Sequence, residues 1–203
     1  MNHKPKQRKG LCRVTVTVTQ LEMASRPTHP PAPAPMLPQP VALLRVHEPT
    51  PSYYRYLYDT VGEPWLWYER RQLDADALKA VIQDKRIALY VLSYGGVPAG
   101  FAELDMRPEN TARRTDTLLA YFGLAPDFIG RGLGRFFLSS IIDIAWQQPG
   151  IDRLVVRTCT LDHPAALPLY QKCGFSATRQ QTTTILDPRK TGLLPPDAGP
   201  VKT

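Results

Sequence analysis

The stretch from Tyr121 to Arg135 constrains the fold of this 203-residue chain more than any other segment. An apolar run ends at Pro126, and glycines at 130, 132 and 134 precede an apolar pattern with helical spacing. Glycine lets backbone N–H groups approach a ligand closely, and the first turn of a helix has N–H donors without helical partners. The segment therefore predicts a strand, a phosphate- or pyrophosphate-binding turn and a helix in succession. The alternative is a turn with only a packing role.

The spacing of these glycines argues against two other nucleotide-binding motifs. A P-loop would end in Gly-Lys-Ser/Thr, and that ending is absent. A dinucleotide-binding motif needs G-x-G-x-x-G after an early strand, whereas these glycines follow the pattern G-x-G-x-G late in the chain.

Hydrophobic periodicity around this segment indicates a mixed α/β sheet flanked by helices. The patterns predict helices over 53–61, 75–84, 132–147 and 164–172, the first two capped by Ser52 and Asp74. They predict strands over 42–47, 87–94, 97–106, 117–124, 154–160 and 182–186, with Gly95-Gly96 joining the second and third strands as a hairpin.

Composition divides the chain into a domain over 41–186, a disordered basic and proline-rich extension over 1–40, and a flexible tail over 187–203. Seven prolines fall between Pro27 and Pro40, and proline favours extended backbone over helix or sheet. Residues 14–19, VTVTVT, alternate like a strand but have no partner strand nearby in sequence. A translation start at Met23 or Met36 would leave a domain with less of this extension.

The net charge of +7 belongs mostly to the first 26 residues, which hold six basic residues and one acidic residue. Residues 41–186 hold 16 basic and 15 acidic residues, which argues against a nucleic-acid-binding domain, although the extension could contact an acidic partner. No apolar run reaches the roughly 18 residues of a membrane span. Three cysteines without a CxxC pair favour a reducing, cytoplasmic compartment, and no metal-ligand spacing occurs, so no metal is expected.

Two motifs carry a resemblance to a known family. Leu124-Ala-Pro is followed by Ile129 and then by Gly132 and Gly134. Further on, residues 163–175 read His-x-x-Ala-x-x-Leu-Tyr-x-x-x-Gly-Phe. Both resemble motifs of the GCN5-related N-acetyltransferase (GNAT) family, in which Gln or Arg is usual at the position of Ile129 and Asn at the position of His163.

The resemblance covers roughly residues 42–186 and implies the GNAT fold, a mixed and mostly antiparallel central sheet flanked by helices. It implies acetyl-CoA as co-substrate, held largely by backbone groups. The residues expected to bind coenzyme A are Phe122, Leu124, Ile129, Gly130, Arg131, Gly132, Leu133, Gly134, Arg135 and His163; of these, Arg131 and Arg135 are chosen for the positive charge that they add beside the glycine turn.

The resemblance also implies acetyl transfer to a primary amine by direct attack. Tyr170 is then the candidate general acid, and its alternative role is that of a core tyrosine. Glu103, on the strand before the glycine segment, is the candidate base, and its alternative is a solvated strand face. Many family members carry a glutamate on the next strand, where residues 117–123 contain no acid.

The acceptor site is expected near the first two helices, where residues 53–68 hold seven aromatic residues. The acceptor candidates are Glu63, Trp65 and Trp67, and core packing is the alternative for each. A small-molecule or peptide amine is the expected acceptor, and a homodimer is compatible with the sequence. A competing hypothesis is a non-catalytic acyl-CoA-binding regulatory module of the same fold; another is a chromatin-associated protein directed by the basic extension.

Overall fold

The computed structural model describes residues 12–107 and 115–200. Its strands are β1 (Arg13–Met23), β2 (Val41–Val46), β3 (Ile87–Tyr94), β4 (Val97–Asp105), β5 (Asp116–Leu124), β6 (Arg153–Cys159) and β7 (Ser176–Leu186). Its α-helices are α1 (Pro51–Gly62), α2 (Ala75–Ile82), α3 (Leu133–Trp146) and α4 (Ala166–Lys172). The strands form one sheet in the order β2-β3-β4-β5-β6-β1-β7. Neighbours are antiparallel except β5 and β6, which confirms the predicted mixed, mostly antiparallel α/β class.

The position of β1 differs from the expected extension over 1–40. Residues 13–23 lie between β6 and β7 and pair with both, so that β7 reaches the rest of the sheet only through β1. Val16, Leu21 and Met23 are buried. The alternation of residues 14–19 was a strand signal, and its partners lie more than 130 residues away in sequence. The expectation of disorder is therefore wrong for these residues, while residues 1–11 lie outside the described part of the chain.

The proline-rich segment over 24–40 has no regular secondary structure but lies on the domain surface. Arg26 pairs with Asp143 on α3 at 2.6 Å, and the Ala32 N–H donates to Ser139 Oγ at 2.9 Å. Leu37 packs against the main core. The segment thus follows α3 and leads the chain from β1 to β2 at the opposite edge of the sheet.

Residues 187–200 also pack on the domain, in contrast to the flexible tail expected there. Leu194 and Ala198 are buried against Leu66 in a small apolar cluster. Asp187 is buried and accepts two side-chain hydrogen bonds from Arg189, at 2.9 and 3.0 Å. Residues 201–203 lie outside the described part of the chain.

The helices cover both faces of the sheet. α1 and α2 pack on β3 and β4 around Tyr54, Leu78 and Phe101. α3 and α4 pack on the opposite face, with Phe137 and Ile141 in the main core. The N-cap of α1 is Thr50, whose hydroxyl accepts from the Tyr53 N–H, and not Ser52 as predicted. Because Pro51 is already helical, the helix begins earlier than the sequence pattern indicated.

A bulge in β5 opens the sheet between β5 and β6. The register of β4 and β5 shifts between Glu103 and Leu104, which leaves Ala120 as the extra residue. Pairing of β5 with β6 ends at Leu119, although β5 continues to Leu124. Bulges bend the strand that carries them, so the last five residues of β5 diverge from β6 and leave a cleft.

Candidate active site

A cavity of about 720 Å³ occupies the cleft between β5 and β6 and reaches both faces of the sheet. Gly130, Gly134 and Tyr170 line it on the side of α3 and α4. Trp65 and Trp67, from the segment after α1, line it on the other side. The volume is in the range of cavities that hold a small ligand or cofactor.

The glycine turn has the geometry that an anion requires. Gly130 and Gly132 have φ of +83° and +77°, in the left-handed region that glycine adopts without strain. A Cβ atom at Gly130 would meet nothing within 4 Å, and α3 begins after Gly132 without a side-chain cap. The first N–H groups of α3 are therefore available to a phosphate, and these residues fit the pyrophosphate of coenzyme A.

The end of β5 offers further backbone donors to the cleft. The Ala125 N–H donates to the carbonyl of Ala99 on the β4 side. Because N–H groups alternate in direction along a strand, those of Leu124 and Phe122 point away from β4, into the cleft. Both residues line the cavity.

Tyr170 lies on α4 beside this backbone. Its ring centroid is 6.2 Å from that of Phe122 and 5.9 Å from that of Phe175, both edge to face. Burial raises the pKa of Tyr170 well above its ordinary value, and the negative charge of Asp162 raises it further. Tyr170 is thus both a core residue and part of the cavity wall, and it carries its proton at neutral pH.

The other predicted cofactor residues differ in whether they line the cavity. Ile129 and His163 line the cavity, whereas Arg131, Gly132, Leu133 and Arg135 do not. The Arg131 guanidinium lies over the rings of Tyr94 and Phe128, at 5.7 and 5.4 Å from their centroids. Leu133 is fully buried, which leaves only its backbone for a ligand.

His163 has two contacts of its own. Its Nδ1 accepts from the Ala165 N–H at 3.0 Å, and its ring lies 5.1 Å from that of Trp65. The first contact holds the backbone of Ala165, the residue that precedes α4.

The position of Glu103 does not suit the predicted role of general base. Its side chain is fully buried, and it accepts from the Tyr54 hydroxyl at 2.5 Å and from the Arg70 guanidinium. Glu103 does not line the cavity, while Arg70 does. α1 and the segment after it cover this strand face, so the solvated-face alternative is wrong as well. The carboxylate positions Arg70, whose guanidinium lies 5.2 Å from the centroid of the Tyr121 ring.

Of the predicted acceptor residues, Trp65 and Trp67 line the cavity and Glu63 does not. Glu63 pairs instead with Arg71, at 2.7 Å. Trp67 packs between Tyr121 and Phe101, with centroid distances of 5.2 and 6.0 Å. The aromatic run thus divides between core and cavity, with Tyr54 and Tyr58 fully buried.

Besides Asp105, which pairs with Arg107, two carboxylates that were not singled out from the sequence line the cavity. Asp162 accepts from Thr158 Oγ1 at 2.7 Å, from the Cys159 N–H at 2.9 Å and from Trp67 Nε1 at 3.4 Å. Glu69 is exposed and accepts from the Tyr58 hydroxyl at 3.1 Å. Their signals were weak, because each is only an acid next to a motif: Asp162 precedes His163, and Glu69 follows the aromatic run.

Comparison with known families agrees with this geometry. A sequence model of the acetyltransferase (GNAT) family matches residues 47–175. The match covers more than half of the chain, and the chain therefore belongs to the GNAT family. A search of curated proteins finds no match.

Solved structures show the same fold at low sequence identity. A putative GNAT acetyltransferase from Novosphingobium aromaticivorans is 20% identical, with a TM-score of 0.53 over 84% of this chain and 63% of its own. A GCN5-related N-acetyltransferase from Sphaerobacter thermophilus is 15% identical, with a TM-score of 0.56 over 84% and 50%. The aminoglycoside N-acetyltransferase AAC(6')-Iy, solved in complex with CoA, is 18% identical, with a TM-score of 0.51 over 71% and 94%.

The chain spans only part of the length of several solved structures that it matches, between 50% and 63% for four of them. None of the helices in the described ranges is long and apolar enough to cross a membrane. Within those same ranges, no group of three or more His, Cys, Asp or Glu side chains is arranged to hold a metal ion.

Proposed function

We propose that the protein transfers an acetyl group from acetyl-CoA to a primary amine of a small molecule or peptide. The observation that carries the proposal is that a single cavity is lined by the glycine turn, the diverging backbone of β5 and Tyr170. Membership of the GNAT family supports acetyl transfer in general.

The backbone of the cleft would hold the coenzyme. The turn from Gly130 to Gly134 and the start of α3 would bind the pyrophosphate. The N–H groups of Phe122 and Leu124 would bind the pantetheine arm and polarise the thioester carbonyl, as donors fixed in a partly dry site do. Acetyl-CoA, when bound, supplies the activated acetyl group.

Tyr170 would act as the general acid. The amine nitrogen bonds to the acetyl carbon, the bond from that carbon to sulfur breaks, and the thiolate leaves with the electron pair. Tyr170 gives its proton to the thiolate, and a proton released by the new amide nitrogen restores the phenol. Because its pKa is raised, the phenol is protonated before each turnover and its phenolate recovers a proton readily.

Calorimetric titration of the full chain with acetyl-CoA and with CoA, on the wild type and on Gly134→Leu, tests the cofactor site. A Cβ atom at Gly134 would lie 3.6 Å from Leu169 and 3.8 Å from Leu124, so the backbone tolerates a side chain there. A leucine would extend between two residues of the cavity wall. We expect it to weaken coenzyme binding at least tenfold while the protein remains folded.

The matched control is Gln147→Leu, which places the same side chain just after the other end of α3, on an exposed residue. It should bind both ligands as the wild type does. Absence of coenzyme binding by a folded wild-type chain would contradict the proposal. Binding without release of free thiol in the presence of any amine would favour the non-catalytic module instead.

A further inference from the structure

The acceptor side of the cavity has a wall of aromatic and aliphatic side chains. We call this wall the acceptor arm; it comprises Val16, Val18, Trp65, Trp67, Leu161 and Ile185. Four separate parts of the chain contribute to it: β1, the segment after α1, the loop after β6, and β7. Such a surface binds the apolar groups of a ligand by removing them from water. It offers few hydrogen bonds to a sugar or a polyol.

Two of the four parts lie outside the region that matches the family. The match covers residues 47–175, whereas Val16 and Val18 belong to β1 and Ile185 belongs to β7. β1 reaches the cavity because it is inserted between β6 and β7. Half of the residues of the acceptor arm therefore lie outside the matched region, and their chemistry is not given by the family match.

The arm offers a place for one ammonium group. Glu69 lines the cavity, and its Oε2 accepts from the Tyr58 hydroxyl and, at 3.3 Å, from the Tyr68 N–H. Among the hydrogen bonds of the described residues, none goes to Glu69 Oε1. Asp162, by contrast, has donors on both of its oxygens.

The remaining charges of the wall are largely engaged within the protein. Arg107 forms a two-pronged pair with Asp105, at 2.7 and 3.0 Å, and Arg70 pairs with the buried Glu103. These guanidinium groups lie in the cavity wall and disfavour a ligand that brings several positive charges. The cavity thus suits a single cation on an apolar body.

We infer that the acceptor is a primary monoamine with an aromatic or aliphatic body, whose nitrogen is bound by Glu69 and whose body lies in the acceptor arm. The inference rests on the proposed function and names its substrate class. In the reaction, the ammonium gives one proton to Glu69, and the neutral nitrogen then attacks the acetyl carbon. After the carbon–sulfur bond breaks, the products are the amide, free thiol and one proton released to water.

Binding of two probe amines to the full chain preloaded with CoA tests the inference without relying on turnover. Phenethylamine is the monoamine probe and spermidine the polycationic probe. By calorimetry, we expect phenethylamine to bind at least tenfold more tightly than spermidine. Release of free thiol from acetyl-CoA should follow the same preference.

Paired variants assign the preference to named residues. Val18→Phe fills the arm from β1, and Thr15→Phe adds the same ring to the opposite face of that strand, away from the cavity. Glu69→Gln removes the carboxylate, and Glu63→Gln makes the same change on a residue outside the cavity. Val18→Phe and Glu69→Gln should each weaken phenethylamine binding at least tenfold and leave CoA affinity unchanged, while both controls behave as the wild type.

Four results would overturn the inference. Tighter binding of spermidine than of phenethylamine would contradict the single-cation site. Unchanged phenethylamine binding in Val18→Phe or Glu69→Gln would contradict the assigned residues. Failure of the folded chain to bind CoA would remove the proposed function, and this inference with it, whereas CoA binding without monoamine binding would remove the inference alone.

Discussion

Tyr170 combines two roles that are often alternatives for a tyrosine. Its ring packs between Phe122 and Phe175 in the core, and its side chain forms part of the cavity wall. The burial that stabilises the fold is also what raises the pKa of the phenol. Packing in the core and exposure to the cavity together suit a general acid, because a ring that is fixed by packing holds its hydroxyl proton at one position in the cavity.

Tyr170→Phe tests the acid role at the residue scale. We expect kcat to fall by about a hundredfold, the typical value of a proton-transferring side chain, with coenzyme affinity unchanged by calorimetry. Because the raised pKa keeps the wild-type phenol protonated, ionisation of Tyr170 should cause no loss of kcat up to about pH 10. Tyr56→Phe, on an exposed tyrosine of α1, is the control. An equal loss in both variants would contradict the assignment.

At the scale of secondary-structure elements, a network of ion pairs links β1 to β6 and β5. The Arg153 guanidinium on β6 pairs with Glu22 on β1 and with Asp116 on β5, the latter at 2.6 Å. Burial alone would raise the pKa of Glu22, but hydrogen bonds from Gln20 and Arg153 outweigh it and lower the pKa below 4.5. The ionised carboxylate therefore stabilises the folded state.

Glu22→Gln should show this contribution as a pH-dependent loss of stability. A carboxyl with a lowered folded-state pKa stabilises the fold above its unfolded pKa, and the effect disappears as the pH falls through the folded value. Urea unfolding should show a loss of about 1–2 kcal/mol at pH 7, as for hydrogen bonds to a charged group. The difference from wild type should shrink as the pH falls from about 5 to about 2. A constant difference would contradict the ionic origin. Asp197→Asn, at an exposed residue of the C-terminal segment, is the control and should change stability little.

At the scale of the whole molecule, β1 joins β7 to the rest of the sheet. Without it, β6 would lose one neighbour and β7 its pairing in the described sheet. Leu21, Met23 and Val16 would leave the core with it. At about 1.5–3 kcal/mol for each buried apolar side chain, the loss is about 5–9 kcal/mol, comparable to the stability of a whole domain.

A chain beginning at Met36 should therefore fail to form the native sheet. We expect aggregation in size-exclusion chromatography and no cooperative thermal transition. A chain in which an initiating Met precedes Cys12 keeps all of β1 and should unfold cooperatively as a monomer or a defined oligomer. A soluble, cooperatively folded chain from Met36 would show that β1 is dispensable.

Several features of the fold could be predicted because they depend on residues close together in sequence. The glycine turn before α3 needs only glycine's access to positive φ, and the hairpin of β3 and β4 needs only Gly95-Gly96. The faces of α2 and α3 follow from apolar spacing. Tyr170 was identified because its neighbours, from Leu169 to Phe175, resemble a known motif.

The features that could not be predicted depend on residues far apart in the chain. Arg153 and Glu22 are 131 positions apart, and Tyr54 and Glu103 are 49 apart. No local pattern distinguishes a strand that enters a sheet from one that stays outside, or a buried glutamate from a solvated one. The glycine turn, the helices and the alternation of the strands could thus be predicted from the sequence alone, because backbone geometry and side-chain periodicity are local. The place of β1, the burial of Glu103 and the composition of the acceptor arm were decided only by tertiary packing, because each depends on which distant segments exclude water together.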